Sequence, residues 1–269
     1  MKIVKETIVA GRTIMRSLHA SSRKKTAGQK RRERENLTSE KVMAVNLRNA
    51  IKKLTAILNH NFIDGDYHLT LTYENEPGKA EAKADLDRFL RNIRNYCKRN
   101  DIDWRRVAVT EYENHRIHHH IVCSGIDPEV INRYWRYGFV NFKMLSSQGN
   151  YYKLAEYLVK ETEKTFRKPD AVSRQRYSPS RNIVIPQPKV EEVSERQIQQ
   201  DPKPEKGYYI DKETIRRYEH AIFETECMEY IMVSLEADPP IKRYKRGKKG
   251  RYEKYYKATE DQLIFDLEA

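Results

Sequence analysis

Three consecutive histidines, His118-His119-His120, stand between Arg116-Ile117 and Ile121-Val122. Residues i and i+2 of an extended strand share a face, so His118 and His120 point one way and His119 the other. Two imidazoles about 7 Å apart on a rigid strand can chelate a divalent cation. A carboxylate from a neighbouring strand would complete the protein ligands. Glu111, just before the turn Glu113-Asn114-His115, is placed to supply it, with Glu113 as the substitute. A second group lies in residues 151–164, YYKLAEYLVKETEK. At 100° per residue, Lys153, Tyr157, Lys160 and Lys164 fall within about 60° of one another, and Leu154, Ala155, Leu158 and Val159 take the other side. Ammonium groups beside a phenol favour its phenolate, the form a phosphotyrosine-forming nucleophile requires. Each group also has a plainer reading: structural or surface histidines, and a lysine-rich solvated helix face that carries one tyrosine.

These side chains need a frame, and periodicity supplies one. Residues 67–73 (YHLTLTY) alternate as a strand, with Tyr67, Leu69, Leu71 and Tyr73 on one face and His68, Thr70 and Thr72 on the other. Residues 105–112 and 116–124 are extended and joined by a short turn, and 139–145 is a further strand. Helical spacing of apolar residues marks 80–99 and 151–164, and Pro128 opens a short helix to Arg136. Thr38 or Ser39 can cap a helix through His60, with Arg48, Lys52 and Lys53 on its wet face. The expected class is α+β, a central, largely antiparallel sheet with helices packed on it. The chain divides into a basic arm (1–37), a core with its leading helix (38–166), a Pro-rich extended segment (167–206) that holds six of the ten prolines, and a C-terminal accessory region with a basic tail (207–269).

The net charge of the 269 residues is +13, unevenly spread. Residues 1–60 carry 15 Lys/Arg against 4 Asp/Glu, residues 61–166 are neutral, and 167–269 carry +2. Residues 241–257 hold nine Lys/Arg against one Glu, interleaved with Tyr244, Tyr252, Tyr255 and Tyr256, a composition suited to phosphates and stacked bases. Lys242, Arg243, Lys245, Arg246, Lys248, Lys249 and Arg251 are the DNA contacts expected there. Mean hydropathy is −0.89 and no apolar run approaches the roughly 18 residues of a membrane span. The first apolar run breaks at Gly11 and Arg12, before a secretory signal could form, so a cytoplasmic protein is expected. Cys97, Cys123 and Cys227 are scattered, which argues against a disulfide framework or a cysteine zinc module. No glycine opens a GxxxxGK[ST] loop, so strand unwinding is expected from another protein.

The set HLTLTY (68–73), EYENHRIHHHIV (111–122) and YLVK (157–160), in this order and spacing, resembles the HUH endonucleases, specifically the rolling-circle replication initiators of small phages and plasmids. NFIDGDYHLTLTY (61–73), RYSPSRNI (176–183) and GYYI (207–210) are similar to the replication-associated proteins of Gram-positive prophages and mobile elements. The resemblance runs from about residue 42 to 235. It implies an HUH fold, with an RRM- or palm-like central sheet. It makes His118 and His120 ligands of Mg²⁺ or Mn²⁺ with Glu111 as the third, Tyr157 the nucleophile, Lys160 the positioning base, and Thr70 and Thr72 neighbours of the site. The middle position, usually apolar, is His119, and Lys153 stands where two-tyrosine initiators carry their first tyrosine. A one-tyrosine enzyme is expected, with Tyr152 a distant substitute. The implied reaction nicks single-stranded or hairpin origin DNA, leaving a 5′-phosphotyrosyl link and a 3′-OH, with a host helicase and polymerase as partners. Arg48, Lys52, Lys153, Lys164 and the tail cations would hold the DNA. A relaxase or HUH transposase would use the same chemistry; a non-catalytic DNA-binding repressor is the rival of another class.

Overall fold

The computed structural model describes residues 2–21, 40–112, 116–163, 175–220 and 225–236. In chain order the elements are β1 (Lys2–Ala10), β2 (Thr13–Ser21), α1 (Glu40–Asn61), β3 (Tyr67–Thr72), α2 (Lys79–Arg99), β4 (Arg106–Glu111), β5 (His118–Cys123), α3 (Pro128–Tyr134), β6 (Val140–Met144), α4 (Tyr152–Glu163), β7 (Ser178–Pro179), β8 (Lys189–Val193), α5 (Arg196–Gln199), β9 (Tyr208–Glu219) and β10 (Glu226–Ser234). The class is α+β. There are two five-stranded antiparallel sheets, in the orders β6-β3-β5-β4-β7 and β8-β1-β2-β10-β9.

Alternation along the first sheet decides its two faces. Leu69, Leu71, Ala108, Ile121 and Cys123 point to one side and pack with Phe89, Leu90 and Ile93 of α2 and Val130, Ile131 and Trp135 at α3. Asp127 caps α3 by accepting from the Glu129 amide (2.9 Å), with Pro128 in the first turn where a missing N–H costs nothing. Val107, Val109 and Val122 point to the opposite side, against Ile51, Leu54, Ile57 and Leu58 of α1 and Ala155, Leu158 and Val159 of α4. The other side of α1 meets the second sheet, where Ala56 packs with Ile8, Ala10, Met15, Ile231 and Val233. The molecule is therefore layered: α2 and α3, first sheet, α1 and α4, second sheet. The far face of the second sheet is closed by Ile198 of α5.

The expected helices and strands of residues 40–163 are present within a residue or two at each end. The N-terminus differs. Residues 2–21, expected as part of a basic arm, form the β1-β2 hairpin around Gly11-Arg12. Gly11 has φ +54°, and a Cβ there would lie 2.0 Å from the Asn59 carbonyl oxygen, so only glycine allows the turn to seat on the end of α1. Both faces of β2 are covered, one by α1 and one by the α5 side, so its apolar residues do not alternate cleanly. Its partners β8 and β10 lie far along the chain. The wet face expected for α1 is also covered: the Lys52 ammonium meets Glu6 and Ser17 Oγ of the second sheet, and the Arg48 guanidinium lies 3.8 Å from the Tyr218 ring centre. Among the described residues no helix is long and apolar enough to cross a membrane.

Candidate active site

β5 lies between β3 and β4, and the register sets Thr70 opposite His120, with Thr72 and Glu111 flanking His118 on either side. One face of the sheet therefore carries His68, Thr70, Thr72, Glu111, His118 and His120, and α4 crosses beside it. His120, buried, is the hub. Its Nε2 lies 3.4 Å from Glu111 Oε2 and 3.4 Å from the Tyr157 hydroxyl, and its Nδ1 is 3.2 Å from His68 Nε2 and 3.4 Å from Thr70 Oγ1. The Tyr157 and His120 rings meet edge to face, 5.5 Å between centroids. Tyr157 keeps 41% of its surface in solvent, so a substrate can reach the hydroxyl.

His119 points to the opposite face, as strand alternation requires. Its Nε2 lies 2.9 Å from the Tyr73 hydroxyl and its Nδ1 2.9 Å from Thr110 Oγ1, and Trp135 packs on the ring. Both nitrogens are satisfied inside the α2/α3 core, which is why a polar residue is tolerated at this position.

Burial pushes His120 down to about 4, reinforced by the charge of His118 and opposed by Glu161. Burial also lowers His68 to about 4, helped by His120 and Lys143. Neutral imidazoles with free lone pairs result, the form that binds a cation. Imidazole donors beside a buried carboxylate fit a divalent metal by type, although among the described residues no three such side chains close on a single point.

The tyrosine's electrostatics differ from the sequence-based expectation. Burial, then Glu111 and Glu161, raise the Tyr157 phenol above its ordinary value. The lysines expected to lower it are taken by carboxylates: Lys160 Nζ lies 3.1 Å from Glu156 Oε1, and Lys153 Nζ 2.6 Å from Glu213 of β9. Glu156 also receives Arg216 from the second sheet at 3.1 Å. The neighbouring tyrosines face elsewhere. Tyr151 is buried and donates to Asp64 Oδ1 (2.9 Å), and Tyr152 packs between α1 and the second sheet with Arg216 near its ring. Only Tyr157 of the three meets His120.

His68 is the site residue that pattern reading passed over. Its signal was present: it shares the phase of Thr70 and Thr72, so it had to lie on the histidine face. Glu113, Lys164 and the expected DNA contacts Lys242, Arg243, Lys245, Arg246, Lys248, Lys249 and Arg251 lie outside the described residues.

Residues 66–166 match the family model for replication-associated proteins of the ORF2 type. That segment contains β3, β5 and α4, hence all of His68, Glu111, His118, His120, Tyr157 and Lys160, and its replication-associated character points to replication initiation. The second sheet and α1 lie outside it. No curated protein and no solved structure matches the chain.

Proposed function

We propose that this chain is a rolling-circle replication initiator of the HUH type, a metal-dependent nickase and strand transferase acting on single-stranded or hairpin origin DNA. The observation that carries the reading is the convergence of the Tyr157 hydroxyl and the Glu111 carboxylate on His120 Nε2, on the sheet face that also holds His118. The replication-associated match over the same residues supports it.

His118, His120 and Glu111 would hold Mg²⁺ or Mn²⁺, which would draw charge from the non-bridging oxygens of the scissile phosphate. The chain's own residues do the rest. The rigid strand and α4 present Tyr157 Oη to phosphorus with little to reorganise, the origin of the entropic advantage of a bound nucleophile. Oη forms a bond to phosphorus as the bond to the 3′ oxygen breaks. The phenolic proton leaves by the solvent-open side of Tyr157, and the departing 3′ oxygen takes up a proton. The phosphodiester energy is kept in the 5′-phosphotyrosyl link, so the reverse step rejoins strands without ATP. Because burial and Glu111 hold the phenol protonated, activation needs added positive charge near Oη. Lys160, one turn along α4, can supply it on leaving Glu156. The free 3′-OH would serve a host polymerase, with a host helicase to open the duplex.

The test is cleavage and rejoining of a single-stranded oligonucleotide that contains the inverted repeat of the origin. Cleavage with Mn²⁺ or Mg²⁺ and none with chelator is expected. Binding without cleavage under any metal would favour the repressor.

A further inference from the structure

Most cations near the second sheet are spoken for. Lys2, Lys5, Arg16, Lys52, Lys153, Lys160, Lys189, Arg216 and Arg217 each lie against a carboxylate. The outer helix α2 is different. Residues 88–99 hold Arg88, Arg91, Arg94, Lys98 and Arg99 and no carboxylate. Phe89, Leu90, Ile93 and Cys97 face the core, while Arg91, Arg94 and Lys98 are exposed and form no ion pair with any described residue. They recur at i, i+3 and i+7, one stripe about 10 Å long. Helix-dipole complementarity accounts for Lys98 and Arg99 in the last turn, but not for Arg91 and Arg94. Arg94 also crowds Arg106 of β4, whose guanidinium is pushed down to about 10 by burial and then by Arg94. Like charges gathered without counter-charge repel one another until a polyanion arrives.

The stripe calls for a partner: we infer that Arg91, Arg94 and Lys98 bind the phosphates of double-stranded DNA, the duplex or hairpin stem next to the nick. The inference rests on the proposed action on DNA. It favours duplex over single strand because the stripe is the convex side of a helix. Single-strand binding calls for a groove with bases stacked on aromatic rings, and no aromatic residue of α2 is exposed. Phosphate contacts from a cationic helix face ask for neither. The stripe also lies on the α2 side of the first sheet, opposite the Tyr157 face, where the strand under attack must lie.

The experiment compares Arg91→Gln/Arg94→Gln/Lys98→Gln with the parent, both carrying Tyr157→Phe so that binding is read without cleavage. The probes are a blunt duplex, a hairpin with a single-stranded extension, and the extension alone, each across a salt series. Affinity for the duplex and hairpin should fall at least about tenfold near 0.1 M salt, with the slope of log K against log[salt] reduced by about 2 to 3, since each phosphate contact contributes about 0.9. Affinity for the extension alone should stay unchanged. Equal loss on all probes would make the stripe part of the single-strand path and overturn the inference. An unchanged slope, or a parent that binds no duplex, would overturn it too. Adduct formation by the Tyr157 protein, measured separately, reports on the proposed nicking, so the two readings fail independently. All three side chains are exposed, and an unchanged melting temperature checks that the fold persists.

Discussion

The two sheets have five strands each and share the α1/α4 layer, yet they use buried polar groups in opposite ways. Against the second sheet, polar groups close into complete pairs: Glu6 with Lys52 and Ser17, and Asn59 Nδ2 with Thr13 Oγ1 at 2.9 Å. In the first sheet, four groups crowd one neutral imidazole, and none of them is a cation. Paired polar groups fasten layers. A carboxylate, a phenol and imidazoles that share one nitrogen have spare lone pairs, and such a cluster is suited to a cation and a phosphate.

The largest effect should come from breaking the first cluster. His118→Ala or His120→Ala is expected to lower cleavage by about 10³-fold, the scale of several kcal/mol of charge stabilisation, and to weaken Mn²⁺ binding in calorimetry. His119→Ala should instead leave Tyr73 and Thr110 without a partner, costing about 1–3 kcal/mol in urea unfolding while cleavage per folded molecule survives. Equal loss of cleavage in all three variants would contradict the division of the strand into a chemical and a structural face.

Breaking the second kind of contact should change stability and not chemistry. Lys52→Ala strands the half-buried Glu6 and is expected to cost about 1–3 kcal/mol. Burial alone would raise the Glu6 carboxyl, but Lys52 and Ser17 overcome it and hold the group below its ordinary 4.5. Its contribution is therefore full above pH 4.5 and is lost as pH falls through the lower folded-state value. Urea titrations of wild type and Lys52→Ala should converge as pH drops through that window; parallel curves down to the lowest pH at which both fold would show that the pair carries no linkage.

A smaller effect sharpens the contrast. His68 Nε2 can accept from His120 Nδ1–H, which leaves Nε2 of His120 free to bind a cation. His68→Leu should weaken Mn²⁺ affinity about tenfold, and His68→Gln, which keeps an acceptor, should restore most of it. Equal loss in both variants would point to direct ligation by His68.

Periodicity made the first sheet legible because its pattern is local. The alternation of residues 67–73, the i, i+2 geometry of His118 and His120 and the helical stripe around Tyr157 all follow from dihedral repeats within a dozen residues. The second sheet was hidden because its strands pair across most of the chain and β2 is covered on both faces. The same distance explains the electrostatic error at Tyr157. The lysines were visible on the helix, but Lys153 is held by Glu213 and Glu156 is shared with Arg216, both from β9.

The central claim is that Tyr157 is the nucleophile, and mass spectrometry of the covalent adduct tests it most directly. Wild-type protein, Mn²⁺ and a single-stranded origin oligonucleotide should yield one modified peptide with the 5′-phosphoryl nucleotide on Tyr157. Tyr157→Phe should give no adduct while still binding the oligonucleotide. A nucleotide on Tyr151 or Tyr152, or a cut strand with no protein attached, would contradict the account.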